Sequence, residues 1–218
     1  MTWDRALPDL TQSAALTLGI AALSTLAALA LVLACLEAEH RHGLRPGAAA
    51  LWLLYLPLIV PQVAFLPGLQ MLALRAGVGG DALAVAAMHL VFVLPYVFLS
   101  LSAPYRAWDS RLATVAAGIG ASPARVFWQI RLPMLLAPVL TAAAVGMAVS
   151  IGQYLPTLIA GGGRVETVTT AAVALSSGGN RRLIGAYGLL QMVLPAIGFA
   201  LALALPALVW RNRRGMRA

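Results

Sequence analysis

Five long apolar segments, separated by short polar ones, dominate this chain and leave few folds open to it. They run from about Thr11 to Ala38, Ala49 to Leu74, Ala82 to Tyr105, Pro133 to Tyr154 and Leu183 to Trp210. Each is near or above the ~20 residues a helix needs to cross a hydrocarbon core about 30 Å thick. Of the 218 residues, 61% are hydrophobic and 10% charged, and mean hydropathy is +0.88. Soluble domains carry about 25% charged residues, and a chain this short has too little interior to hide so much apolar surface from water. The expected fold is all-α and polytopic: one transmembrane domain over residues 1–218, with about five spanning helices. Pro57, Pro61 and Pro67 in the second segment and Pro95 in the third imply kinks, which neighbouring helices can satisfy. A cleaved leader is a poor reading of the start. Asp4, Arg5, Pro8 and Asp9 interrupt it, and the apolar run that follows is longer than an h-region of about 7–15 residues.

The charged residues narrow the function. The sequence has no lysine, so its 15 cationic residues are all arginine. That excludes a Walker A loop, which needs Gly-Lys-Ser/Thr, and Schiff-base chemistry with it. If ATP drives this protein, another polypeptide binds it, and no cofactor is expected on this chain. The net charge of +8 does not imply nucleic acid, because no arginine run lies in a soluble segment long enough to fold. Cys35, the single cysteine, reads as a small buried apolar residue, and His40 and His42 as parts of a solvated hinge over Glu39 to Gly47. A membrane-embedded enzyme would need a nucleophile–base or metal set, and neither H-E-x-x-H nor G-x-S-x-G occurs. An ion- or proton-coupled secondary transporter is the alternative, but no charged residue is clearly placed within a span and no inverted repeat is evident.

Residues 106–133 are too polar for a span and too apolar for an idle loop. Asp109 or Ser110 can cap a short helix whose Leu112, Val115, Ala116 and Ile119 form one apolar stripe. Gly118 and Gly120 end it, and Ser122-Pro123 restarts the chain as cap and first helical residue. Val126, Phe127 and Ile130 form the apolar face of the second helix, with Arg125 and Arg131 flanking it, and Pro133 opens the next span. With this segment cytoplasmic, Arg41, Arg45, Arg106, Arg111, Arg125, Arg131, Arg211, Arg213, Arg214 and Arg217 share its side, against Arg5, Arg75, Arg164, Arg181 and Arg182. That asymmetry follows the positive-inside tendency and places the N-terminus outside and the C-terminus in the cytoplasm.

Thr114-Val115-Ala116-x3-Gly120-x9-Ile130-Arg131-Leu132-Pro133 resembles the E-A-A-x3-G-x9-I-x-L-P signature of binding-protein-dependent ABC importer permeases. Thr114 and Val115 depart from it, and the missing glutamate removes one ionic contact. The resemblance covers nearly the whole chain, and the thiamine, iron(III), sulfate and molybdate permeases look most similar, the thiamine-transport group above all. It implies a permease in a bacterial inner membrane that forms the translocation pathway. Two copies of an ATP-binding subunit, a second permease copy or paralogue and an external substrate-binding protein would be its partners. The ATP-binding subunit would be contacted through Ala116, Gly120, Ala121, Ser122, Pro123, Ala124, Arg125, Val126, Phe127, Ile130, Leu132 and Pro133.

Polar groups inside spans face either a cavity or another helix. The candidates for the pathway are Gln62, His89, Ser150, Gln153, Tyr154 and Thr157, while Gln70 and Gln191 also qualify as intramembrane polar groups. Ser150 to Tyr154 resembles the family's small-residue run that ends in an acidic–aromatic pair, with Gln153 in place of the acid. Residues 157–182 read as an outer loop with a short helix around Val165 to Leu175.

Overall fold

The computed structural model describes residues 3–77, 79–177 and 181–209, with side chains from residue 9 onward. Among these residues the regular structure is helical. Helices α1 (Trp3–His42), α2 (Ala48–Ile59), α3 (Gln62–Arg75) and α4 (Ala82–Arg106) are followed by α5 (Arg111–Gly118) and α6 (Pro123–Val126). A π-helical turn (Phe127–Arg131) leads to α7 (Leu132–Met134), α8 (Leu136–Ile151), α9 (Leu155–Gly161), α10 (Val168–Ser176) and α11 (Arg181–Val209).

α1 and α4 run parallel. Ile20 packs in one cluster with Met88, and Glu37 meets Tyr105, a separation of 68 residues in both cases. α8 lies antiparallel to both, since Ser150 meets Ser24 and His89 while Ala142 packs nearer the other end with Val97 and Leu101. Gly146 permits the close approach: a Cβ there would stand 2.8 Å from Thr25 Cγ2 and 3.1 Å from Val97 Cγ2. α11 packs on α8 and α10. Only 11% of its most apolar stretch is buried, against 56% for α4, so lipid or a neighbour must cover the rest.

Four expectations need correction. Cys35, expected to be buried, is exposed on α1. The second span is not one helix. α2 and α3 meet at 115°, because Val60 and Pro61 are extended and proline lacks the N–H that would carry the helix through. Since α1 and α4 are parallel, this bent pair must return the chain to the end where α1 begins. The hinge starts later than expected, at Gly43, because α1 stays helical through Glu39 to His42. The fourth span starts at Leu136 rather than Pro133, after a 73° bend at Leu135. It then breaks at residues 152–154, and α9 extends it along α4 until Gly161 faces Val85. The short helix expected around Val165 to Leu175 is α10, and it is tied into the bundle: Val168 N–H donates to Thr17 Oγ1 at 2.9 Å and Thr169 Oγ1 donates to the Ile151 carbonyl at 2.6 Å. The fifth span is α11, and Trp210, its expected end, lies outside the described residues.

Candidate functional site

The segment between α4 and α8 folds as an elbow. Ala121 N–H donates to the Ala116 carbonyl and Gly120 N–H to the Ala117 carbonyl, at 3.0 and 2.9 Å. These two bonds make a Schellman motif, and Gly120, at φ +83°, occupies its left-handed position. Ser122 then caps α6, its Oγ accepting from Arg125 N–H at 3.3 Å, with Pro123 as first helical residue. Asp109 accepts from the Arg111 N–H at 3.0 Å, while the Ser110 side chain makes no cap bond.

The elbow holds on by a few residues and exposes the rest. Ala116 and Val126 are buried among α1 and α4 residues, with Ala121 and Ile130 packed against them. The predicted apolar stripe on α5 is split: Ala116 is buried, and its other three members face out. Leu112, Val115 and Ile119 are 37, 68 and 85% exposed, because only the Ala113–Ala116 side of this short helix meets the bundle. Gly120, Ser122, Pro123, Ala124 and Arg125 are exposed, while Phe127, Leu132 and Pro133 are half-buried. Trp128, which sequence periodicity did not single out, projects at 65% exposure with its ring edge on Phe127.

Arg131 is also placed differently from its expected flanking position. It is 2% exposed, the largest fully buried side chain among the described residues. At 100° per residue it would lie roughly 140° around the helix from Val126. The π-turn closes over five residues instead of four, so Val126 and Arg131, five apart, come onto one face. Arg131 Nη1 donates to the Glu37 carboxylate and stands 3.3 Å from Tyr105 Oη. Its guanidinium lies 4.3 Å from the Trp108 ring centroid. Tyr105 donates to the same carboxylate, and Arg41 donates to it from one turn away at 2.7 Å. Beside it, Arg106 forks onto Glu39 with two bonds of 2.9 Å, and Arg45 approaches Glu39 to 3.3 Å. Glu37 lies near the end of the continuous α1, inside the first apolar segment as the sequence bounds it. A carboxylate among arginines near a helix end was a readable signal; its partner, 94 residues away, was not.

A second polar cluster lies deeper and carries no formal charge. Thr157 Oγ1 donates to the Gln153 carbonyl at 2.7 Å, so it accepts from His89 Nε2–H at 2.9 Å. The other imidazole nitrogen then accepts from Ser150 Oγ–H at 2.8 Å, and Ser24 Oγ stands 3.2 Å from Ser150 Oγ. His89, Ser150 and Thr157 are 2, 2 and 0% exposed and tie α4 to α8 and α9. Gln153 is 5% exposed, yet both polar atoms of its amide lack a hydrogen-bond partner. Gln62 and Tyr154 are half-buried, at the α2–α3 bend and the α8–α9 break. Six of the arginines assigned to one side (Arg41, Arg45, Arg106, Arg111, Arg125 and Arg131) gather at the elbow end. Arg211, Arg213, Arg214, Arg217 and the side chain of Arg5 lie outside the described residues.

Residues 27–212 match the family described as "Binding-protein-dependent transport system inner membrane component". The inner membrane ABC transporter permease protein YnjC of Escherichia coli is 42% identical over 202 residues, 93% of this chain and 38% of that protein. The molybdenum transport system permease protein ModB of Mycobacterium tuberculosis is 31% identical over 65% of this chain and 56% of its own length. The spermidine/putrescine transport system permease protein PotC of Haemophilus influenzae is 24% identical, with 72% and 61% covered. The chain thus spans less than two thirds of each relative's length. Its all-helical bundle, its elbow and the extent of these matches lead to one assignment: this chain belongs to the binding-protein-dependent transport system inner membrane components, the permeases of ABC importers.

Proposed function

We propose that the chain forms the translocation pathway of an ATP-driven importer and is driven through the elbow by a separate ATP-binding subunit. The observation that carries this reading is the elbow itself. Its left-handed turn at Gly120 joins two short helices whose outer faces (Leu112, Val115, Ile119 and Trp128) are apolar and uncovered. Small residues at the apex, Gly120, Ala121 and Ala124, permit close docking. With the elbow cytoplasmic, the arginine-rich end of the bundle also faces the cytoplasm. The chain has no lysine for a phosphate-binding loop, so hydrolysis belongs to the partner.

One chain of five crossings encloses little space, so a second copy or a paralogue completes the pore, and an external binding protein delivers the solute. Gln153, buried without a partner beside a broken span, is the pathway residue this reading favours, with Tyr154 next to it. His89, Ser150 and Thr157 satisfy one another and serve as the frame around it.

Co-expression with the ATP-binding subunit tests the docking. Ala124→Trp is expected to abolish ATP-driven uptake while the permease is still made and inserted, because Ala124 is exposed at the apex on ordinary helical backbone, whereas Gly120→Trp would also strain the left-handed turn at φ +83°. Normal uptake by that variant contradicts the docking assignment.

A further inference from the structure

Docking explains the exposed outer faces of the elbow but not its buried charge. The covalent route from elbow to membrane runs through Leu135, where helical geometry is interrupted and the chain bends by 73°. A joint of that kind transmits a push poorly. A second route runs through Arg131, where three elements converge on one guanidinium: the elbow that carries it, Glu37 of α1, and Tyr105 of α4. Trp108, on the chain leaving α4, closes over it. The regular helix is abandoned for five residues at the place where this brings Arg131 inward, and π-turns of this kind often mark functional positions. Ion pairs shielded from water are short and stiff in a way that exposed pairs are not.

We propose that Arg131 and Glu37 form a latch that delivers displacement of the elbow to α1, which makes them positioning residues for the coupling step. This rests on the elbow being the lever that the ATP-binding subunit moves. Motion then reaches α1 and the parallel α4 directly, and α8 is not the sole recipient.

The chain carries its own reporter. Cys35, the only cysteine, is exposed on α1 two residues before Glu37. It borders a groove that α1 shares with Pro46, Leu51 and Leu54 at the start of the second crossing, so movement of α1 against α2 alters access to its thiol.

The test uses the assembled importer in lipid, with its ATP-binding subunit and binding protein. Modification of Cys35 by a membrane-permeant maleimide is read on the permease chain, without nucleotide and after trapping with ATP and vanadate. In the wild type the two rates should differ by about 5-fold or more, the lower range of a typical coupling between sites. Glu37→Gln and Arg131→Met should remove that difference while the ATP-binding subunit stays bound and hydrolyses ATP at an unchanged rate. Arg131→Lys, which keeps the charge, should retain part of it. Arg131→Met is a tolerable break, since Glu37 keeps Arg41 and Tyr105 as partners. Glu37→Gln is the harsher of the two: its amide oxygen can accept from Arg131, but the buried guanidinium loses its counter-charge.

Three results overturn the latch: a wild-type Cys35 rate that ignores nucleotide, variants that respond as the wild type does, or loss of the ATP-binding subunit from both variants, which would make the pair a fold element only. Failure of the wild-type chain to bind an ATP-binding subunit would instead refute the proposed function itself.

Discussion

At one end of the parallel pair α1 and α4 the polar side chains are charged; about 24 Å along α4, at a rise of 1.5 Å per residue, they are neutral. The charged cluster joins Glu37, Glu39, Arg106 and Arg131. The neutral one joins His89, Ser150 and Thr157. Arg41 and Arg45, partly and largely exposed, keep the first cluster within reach of water. Deep in the bundle no such relief exists, and a charge at mid-membrane costs about 2.5–3.5 kcal/mol on insertion scales. There the chain uses hydroxyls and an imidazole whose donors and acceptors match one to one. Strong, directional ties therefore sit where the elbow must be held, and uncharged ties where helices only need to be kept in register.

Three substitutions test how far that contrast goes. Glu37→Leu should do the most damage. It leaves Arg131 buried without its counter-charge, a loss of about 3–5 kcal/mol that should appear as a lower unfolding temperature in detergent. The double variant Glu37→Leu, Arg131→Leu should recover most of that loss. If it does not, the cluster is held by more than the ion pair. His89→Leu should cost less, about 1–3 kcal/mol, because Thr157 keeps its bond to the Gln153 carbonyl and Ser150 keeps Ser24. A loss as large as that of Glu37→Leu would erase the distinction between the two clusters. Gln153→Ala should change stability least, by about 1 kcal/mol or less, as its amide has no partner to lose. It should nevertheless reduce uptake more than Gln191→Ala does; equal effects would remove Gln153 from the proposed pathway.

The elbow was legible in the sequence to a degree that its attachment was not. Gly120 and Ser122-Pro123 act locally, through a left-handed backbone position and a cap, so their geometry follows from the residues themselves. Arg131 was misplaced because a period of 3.6 residues puts it on the outer face, and nothing local announces a π-turn. The apolar stripe on α5 was legible, but its cover was not: a stripe says that something must cover it, not that the same chain does. The three prolines of the second segment signalled kinks, yet a 115° bend depends on what α2 and α3 pack against, including Tyr55 on Phe98 and Phe65 on Phe92. Among the pathway candidates, periodicity could not separate His89, which is fully partnered, from Gln153, which is not.

The parallel packing of α1 and α4 has a mechanical corollary. Two rods packed side by side over some 17 residues, about 26 Å, resist shear and move as one beam. A tilt imposed at the arginine-rich foot would then arrive at Ser24 and His89 with little lost on the way. Sliding one rod by a single turn, as a short insertion near Ala28 would, should disconnect foot from summit even though every residue of both clusters were still present.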